Sequence, residues 1–250
     1  MAKARVRLDQ RLVELGLAES LARAQARILA GDVRLGDRVV DKSGMLVPAD
    51  AQPVLKARSP FVSRGGEKLA GALDALAIEV AGLRCADIGA STGGFTDCLL
   101  QRGASHVLAL DVGYGQLAAK LRADPRVDVR ERTNVRHFAL EPGEKRFDLV
   151  VADVSFISLR QLLPSLIALA RPGGRLLLMV KPQFELERGA LAPGGGGVVR
   201  DPELRARAVR EVRGAAVGLG LTALGEAESV LAGPKGNREV FLLLERPGCA

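Results

Sequence analysis

The sequence predicts an open α/β sheet of the Rossmann-like kind, preceded by a small α+β domain. From residue 64 onward, apolar runs of strand length alternate with stretches of helical periodicity, which is typical of a sheet flanked by helices. The first of these runs ends in a glycine-rich turn, Gly89–Gly94, where a helix is expected to begin. Residues 1–58 have shorter elements and denser positive charge. We therefore predict domains at 1–58 and 64–250, joined by a linker at 59–63.

The first domain is predicted to contain two short helices followed by short strands. Leucines at helical spacing indicate a helix over residues 7–16, and Ser20 is suited to cap a second helix over residues 21–30. Residues 33–40 then predict a small hairpin, and residues 53–56 a final strand.

This order of elements resembles the small RNA-binding module shared by a small-subunit ribosomal protein, tyrosyl-tRNA synthetases and many pseudouridine synthases. The resemblance implies that the helices and hairpin present basic side chains to RNA, although any single one could belong to a solvated helical face. The net charge of +7, with 11 Lys and Arg against 7 Asp and Glu in residues 1–60, also favours an anionic partner. The candidate RNA-binding residues are Arg5, Arg7, Arg11, Arg23, Arg27 and Lys42.

The second domain contains seven predicted strands separated mostly by helices. Asp201, followed by proline, is a good helix start, and the four glycines of residues 194–197 predict a mobile loop or lid. The strands are predicted at residues 84–88, 106–111, 127–131, 148–153, 175–181, 221–230 and 239–245.

The glycine-rich turn predicts a site for a nucleoside-containing cofactor. Glycines let the backbone approach a ligand closely, and Asp111 ends the next apolar run, where an acid grips ribose hydroxyls in doubly wound sheets. A nicotinamide dinucleotide is the rival cofactor. Its G-x-G-x-x-G fingerprint is absent, because the segment from Gly89 reads G-x-x-x-G-G.

The pattern D-x-G-x-x-x-G-G-F, followed by Asp111, resembles the S-adenosylmethionine-dependent methyltransferases. The resemblance implies that the glycine loop contacts the methionyl part of the cofactor and that residues after the third strand contact adenine. For Asp87, direct contact and a structural Asx turn both stay open. The implied cofactor-binding residues are Asp87, Gly89, Ala90, Ser91, Gly93, Gly94, Phe95, Asp111, Val112, Thr133, Asn134, Val135 and Asp153.

Two charged residues end neighbouring strand predictions. Asp153 and Lys181 each follow an apolar run, and ligands bind at the carboxyl ends of strands in open α/β sheets. A lysine at such a position would be partly desolvated, which favours the amine that can accept a proton. The alternative is a snorkelling lysine with a solvated head.

Several motifs together resemble the TlyA family of bacterial ribosomal RNA ribose 2'-O-methyltransferases, which are related to the FtsJ-type enzymes and were historically labelled hemolysins. The resemblance covers essentially the whole chain. It implies S-adenosylmethionine as cofactor, ribosomal RNA or ribosomal subunits as partner, and 2'-O-methylation of a cytidine. The motifs are FVSRGGEKL, DIGASTGGFTD, DVGYGQL, ADVSFISL, KPQFE and GVVRD.

The FtsJ-type catalytic arrangement is a Lys–Asp–Lys–Glu tetrad, which the resemblance places at Lys68, Asp153, Lys181 and Glu239. A ribose 2'-hydroxyl must lose its proton as it attacks a methyl carbon. Lys181 is expected to accept that proton or steer the oxygen lone pair. Lys68 would raise the local positive potential, and the two carboxylates would hold the lysines in place. Phe61 stands where the family commonly has a tyrosine.

Three other functions are alternatives to this hypothesis. A non-catalytic RNA-binding or ribosome-assembly factor would not need the complete tetrad. A membrane-active hemolysin is disfavoured, because the longest apolar stretches, such as residues 162–170, are too short to span a bilayer. A base-directed methyltransferase would carry an Asn/Asp-Pro-Pro-aromatic motif or a cysteine after strand four, where this chain reads DVSF.

Cysteine and histidine usage favours no metal site. The three cysteines lack CxxC spacing, and the chain has two histidines. No signal peptide or membrane partner is indicated, so we expect a reduced, cytoplasmic protein. We also expect it to be a monomer.

Overall fold

In the computed structural model, the described residues are 4–36, 38–55, 59–187, 197–233 and 235–248. The chain divides into two units, residues 1–58 and 59–250. Residues 59–63, predicted as a linker, belong to the second unit. The backbone N–H of Val62 donates to Asp97 Oδ2 at 2.8 Å, and the Phe61 ring covers Gly66 so closely that a Cβ there would lie 2.3 Å from it.

The first unit is built around a small apolar core of Leu8, Leu12 and Ile28, which are fully buried. Residues 5–7 pair antiparallel with residues 46–48, and residues 33–35 pair antiparallel with both residues 38–40 and residues 54–55. The predicted cap at Ser20 is confirmed, because its hydroxyl accepts from the backbone N–H of Arg23. The elements are β1 (Arg5–Arg7), α1 (Leu8–Glu14), α2 (Leu21–Leu29), β2 (Val33–Leu35), β3 (Arg38–Val40), β4 (Leu46–Pro48) and β5 (Val54–Leu55).

The second unit contains a seven-stranded sheet, and each predicted strand has its counterpart. The strand order is β11-β12-β10-β9-β6-β7-β8, and β12 runs antiparallel to both of its neighbours. The elements are α3 (Arg64–Ala75), β6 (Arg84–Ile88), α4 (Gly94–Gln101), β7 (His106–Leu110), α5 (Ala119–Arg122), β8 (Val127–Arg130), a 3-10 turn (Val135–His137), β9 (Phe147–Ala152), α6 (Leu159–Leu169), β10 (Ala170–Val180), α7 (Pro182–Glu185), α8 (Pro202–Gly218), β11 (Thr222–Glu228) and β12 (Val240–Glu245).

Helices cover both faces of this sheet. Apolar residues of α6 and α8 pack on one face, and those of α3, α4 and α5 pack on the other. Because β6, β7, β9 and β10 are parallel, their carboxyl ends meet at one edge. Asp201 caps α8 as predicted, accepting from the backbone N–H of Glu203. Of the predicted glycine loop, Gly197 is a turn residue and residues 194–196 lie outside the described chain.

Candidate active site

The glycine-rich turn after β6 brings backbone segments into close contact. Gly89 has a φ of +87°, and a Cβ on it would lie 2.5 Å from the carbonyl oxygen of Asp153. Only glycine fits this position without displacing that carbonyl. The turn therefore lies directly beside the end of β9, where Asp153 stands.

The side chain of Asp87 connects the two elements on either side of the glycine turn. Its side chain is fully buried, and its Oδ2 accepts from both the backbone N–H and the hydroxyl of Thr96, at 2.9 and 2.7 Å. Oδ1 has no hydrogen-bond partner among the described residues. Burial raises the pKa of Asp87 to about 7. This carboxyl fastens the start of α4 to the end of β6, rather than closing an Asx turn of its own.

Asp111 links the glycine turn to the loop after β7. Its Oδ2 accepts from the backbone N–H of Ser91 at 2.8 Å, and its Oδ1 accepts from that of Gly113 at 2.6 Å. The residue is partly exposed beside a small cavity that Gln116 and Glu131 also line. A carboxylate oxygen can accept more than one hydrogen bond, so each Asp111 oxygen keeps acceptor capacity.

Other residues predicted to bind the cofactor differ in their exposure. Val112 is exposed next to Asp111, whereas Val135 is buried in the core, so its side chain is not available to a ligand. Asn134 uses its side-chain oxygen to accept from the backbone N–H of Arg136. The Phe95 ring is likewise buried, 6.0 Å from the ring of Phe241.

The four residues of the predicted tetrad line one cleft of about 1320 Å³. They form two ion pairs: Lys68 Nζ lies 2.5 Å from Glu239 Oε2, and Lys181 Nζ lies 2.5 Å from Asp153 Oδ1. Lys68 and Glu239 are buried, with side chains 8% and 2% exposed. The cleft also includes Gly89 and the residues after it, so the charged set adjoins the glycine turn.

Strand register explains why the four residues meet. Lys181 follows β10 and Asp153 follows its parallel neighbour β9. Val180 lies opposite Val240 in the antiparallel pair β10–β12, so Glu239, which immediately precedes β12, reaches the same edge. Lys68 comes from α3.

Three side chains at this edge were not predicted from the sequence. Ser155 Oγ lies 2.9 Å from Lys181 Nζ. Phe156 is 91% exposed, with a φ of +67°, and its ring centroid lies 5.3 Å from that of Phe184. The signals available in the sequence were the motifs DVSF and KPQF, each directly after a buried strand.

Glu185 fixes the far end of the same loop. Its buried carboxylate accepts from the Ser158 hydroxyl at 2.5 Å and from the backbone N–H of Leu159 at 2.8 Å, at the start of α6. Burial raises the pKa of Glu185. One carboxylate therefore ties the segment after β10 to the loop after β9.

The basic residues predicted to bind RNA fall into two groups. Arg7 forms two hydrogen bonds with the buried Asp9, which lower the pKa of Asp9 to about 2. Arg5 and Arg11 donate to the backbone carbonyls of Leu46 and Ala51.

By contrast, the side chains of Arg23, Arg27 and Lys42 have no partner within the described first unit. Arg23 and Lys42 are exposed, and Arg27 is half-buried. Arg34 and Arg38, exposed on β2 and β3, extend this basic surface and were not predicted. The outward-facing position of Arg34 in the alternating segment Val33–Leu35 was the available signal.

Two kinds of site were not found in the described residues. No group of His, Cys, Asp and Glu there has the arrangement needed to hold a metal ion. No helix in the same ranges is long and apolar enough to cross a membrane.

An open, mostly parallel sheet with a glycine turn after β6, an acid after β7 and a charged cleft at its carboxyl edge is typical of a methyltransferase of the Rossmann-like class. Comparison with known families agrees. Residues 61–246 match the FtsJ-like methyltransferase model, and residues 6–52 match the S4 domain. The chain belongs to the FtsJ-like methyltransferase family and carries an S4 domain at its N-terminal end.

Its relatives cover nearly all of the chain. It is 50% identical over 248 residues to the 16S/23S rRNA (cytidine-2'-O)-methyltransferase TlyA of Mycobacterium tuberculosis, covering 96% of this chain and 90% of that protein. Hemolysin A of Brachyspira hyodysenteriae is 39% identical, covering 94% of this chain and 97% of the relative. A solved Streptococcus thermophilus structure that carries the hemolysin name has 37% identity and a TM-score of 0.74, covering 98% of this chain and 90% of that one. The predicted fold class and the resemblance to the TlyA family are confirmed.

Proposed function

We propose that this protein transfers a methyl group from S-adenosylmethionine to the ribose 2'-hydroxyl of a cytidine in ribosomal RNA. The observation that carries the proposal is the pair of lysine–carboxylate ion pairs lining one cleft beside the glycine turn. The names of the curated TlyA relatives support the choice of ribosomal RNA and of cytidine.

The residues around the glycine turn fit the proposed cofactor. S-adenosylmethionine supplies an activated methyl group when bound. Asp111 would bind the ribose hydroxyls through lone pairs that Ser91 and Gly113 leave free. Gly89 presents backbone without a Cβ beside Asp153. Val112 offers an exposed apolar surface to adenine. The donor half of the site would therefore adjoin the charged half.

We assign Lys181 as the proton acceptor for the attacking 2'-hydroxyl. Its Nζ accepts the proton that the 2'-oxygen releases as that oxygen bonds to the methyl carbon. Asp153 holds the resulting ammonium in an ion pair. Lys68, paired with Glu239, contributes positive potential that favours the alkoxide character of the attacking oxygen.

RNA recognition is assigned to two surfaces, one in each unit. The exposed ring of Phe156 at the cleft is suited to stack on a base that has left its helix. Arg23, Arg27 and Lys42 of the S4 domain are suited to phosphates, because their charges are not used within the described part of that unit. Since only RNA has a 2'-hydroxyl, the reaction itself selects RNA over DNA.

The test is methyl transfer from labelled S-adenosylmethionine to isolated ribosomal subunits, followed by analysis of the modified nucleoside. We expect label in 2'-O-methylcytidine, and a loss of at least about 100-fold in Lys181→Ala. Lys145→Ala, a change at an exposed lysine outside the cleft, is the matched control and should transfer normally.

Three results would contradict the proposal. RNA binding without any transfer would indicate an assembly factor. Label on a base would indicate a base-directed enzyme. Full transfer by Lys181→Ala would exclude the assigned proton acceptor.

A further inference from the structure

As a proton acceptor, the Lys181 amine has two N–H donors and one lone pair, and the structure shows two neighbours of Nζ, one ion-pair partner and one hydrogen-bond acceptor. Asp153 Oδ1 lies 2.5 Å from Nζ, and Ser155 Oγ lies 2.9 Å from the same atom. Within the described chain Lys181 has no third partner, and its side chain lines the cleft. One direction at Nζ therefore remains for a group that enters the cleft.

The position of Ser155 is set from both sides of its loop. On one side, the backbone N–H of Asp153 donates to the carbonyl of Ile88 at 3.0 Å, which holds the loop to the end of β6. On the other side, Ser158 caps α6 and donates to Glu185. Ser155 thus lies between two anchored points.

The residue after Ser155 has an unusual backbone. Phe156 lies in the left-handed region, with φ +67°, a conformation that costs a bulky residue about 1–3 kcal/mol and persists where the surroundings impose it. This turn presents the Phe156 ring to solvent while the preceding hydroxyl faces Lys181.

We propose that Ser155 is a positioning residue for Lys181, an inference that rests on the proposed function. A lysine side chain is a flexible four-carbon stem, and a single carboxylate restrains the distance of Nζ more than its direction. A second contact from Ser155 defines that direction. The remaining site on Nζ then faces the 2'-oxygen, and alignment of this kind supplies a large share of rate in group transfer.

The test compares single-turnover methyl transfer by Ser155→Ala, Ser155→Thr and the wild type on ribosomal subunits. Ser155→Ala should be slower by about tenfold, the usual scale for a hydrogen bond to a charged group. Affinities for S-adenosylmethionine and for subunits should not change. Ser155→Thr keeps the hydroxyl and should restore most of the rate. Ser105→Ala, which removes a serine hydroxyl bonded to backbone carbonyls outside the cleft, should transfer at the wild-type rate.

The pH dependence separates positioning from a general structural effect. The serine oxygen accepts from the ammonium, so its removal disfavours the charged form of the amine. The midpoint of the pH–rate profile should therefore move to lower pH in Ser155→Ala and return in Ser155→Thr.

An unchanged rate and profile in Ser155→Ala would overturn the assignment while leaving the proposed function intact. A rate loss fully explained by weaker subunit binding would also overturn it, since Ser155 would then be a substrate contact. If the wild type itself transfers no methyl group, the proposed function fails and this inference fails with it.

Discussion

Removing one partner of the Lys68–Glu239 pair should destabilise the second unit much more than removing both. The pair joins Nζ to Oε2 at 2.5 Å, with side chains 8% and 2% exposed. Lys68→Met keeps the length of the side chain but leaves a buried carboxylate without its cation. Such a change costs about 3–5 kcal/mol, because the desolvated charge is no longer compensated. Glu239→Leu strands the ammonium of Lys68 and should cost a similar amount.

The double variant Lys68→Met/Glu239→Leu should be within about 2 kcal/mol of the wild type, since two apolar side chains replace two desolvated charges. Methyl transfer should be lost in all three variants. The free energy of unfolding is measured by urea titration followed by circular dichroism. The destabilisation in Lys68→Met should be smaller at pH 5 than at pH 8, because the stranded carboxylate can take up a proton.

The control is the exposed ion pair between Arg102 and Asp74, whose side chains are 36% and 63% exposed. Arg102→Met should cost less than about 1 kcal/mol, since water screens such a pair. The reasoning is refuted if Lys68→Met costs no more than Arg102→Met. It is also refuted if the double variant is as unstable as the two single losses added together.

Three further predictions follow from the site. Gly89→Ala should lower the free energy of unfolding by about 3 kcal/mol and abolish cofactor binding, because the added Cβ would lie 2.5 Å from the carbonyl oxygen of Asp153. The control is Gly82→Ala, where φ is +77° but the added Cβ would have no atom within 4 Å. It should cost only about 1 kcal/mol in the same urea titration. Burial raises the pKa of Asp87 to about 7, so its contribution to stability is complete below pH 4 and is lost as pH rises through 7. In Asp87→Asn, the decline in the free energy of unfolding between pH 5 and pH 8 should be smaller by about 3 kcal/mol. An unchanged decline would contradict this prediction. Phe156→Ala should slow methyl transfer to ribosomal subunits by about 10–100-fold, because stacking of a base on the ring is lost. The urea midpoint should not change, because the ring is exposed. Transfer at the wild-type rate would show that no base stacks on this ring.

Much of the fold can be read from local patterns. Apolar runs of strand length predicted the central strands β6, β7, β9 and β10, because a buried parallel strand needs apolar side chains on both faces. The same patterns placed Asp111, Asp153 and Lys181 at strand ends, and parallel strands bring their carboxyl ends to one edge. The family resemblance then supplied Lys68 and Glu239, which no local pattern connects to that edge.

Local patterns do not show whether a side chain faces a ligand or is used within the fold. Val135, predicted to contact adenine, begins the 3-10 turn, and its side chain is buried in the core. Arg7, predicted to bind RNA, makes a bidentate contact with Asp9. The burial of Val135 depends on core contacts that its own segment does not reveal. The Arg7–Asp9 pair, by contrast, joins residues two apart in the same segment.

The chain's own residue order thus specifies the sheet, the glycine turn and the chemical groups at the edge. Which lysine pairs with which carboxylate depends on the register of β10 with β12 and on the packing of α3, and these contacts join residues far apart in sequence. The contact between Ser155 and Lys181 also depends on a left-handed turn at Phe156. A bulky residue adopts that conformation only when anchors on both sides of the loop hold it, so the orientation of Lys181 is a property of the folded structure.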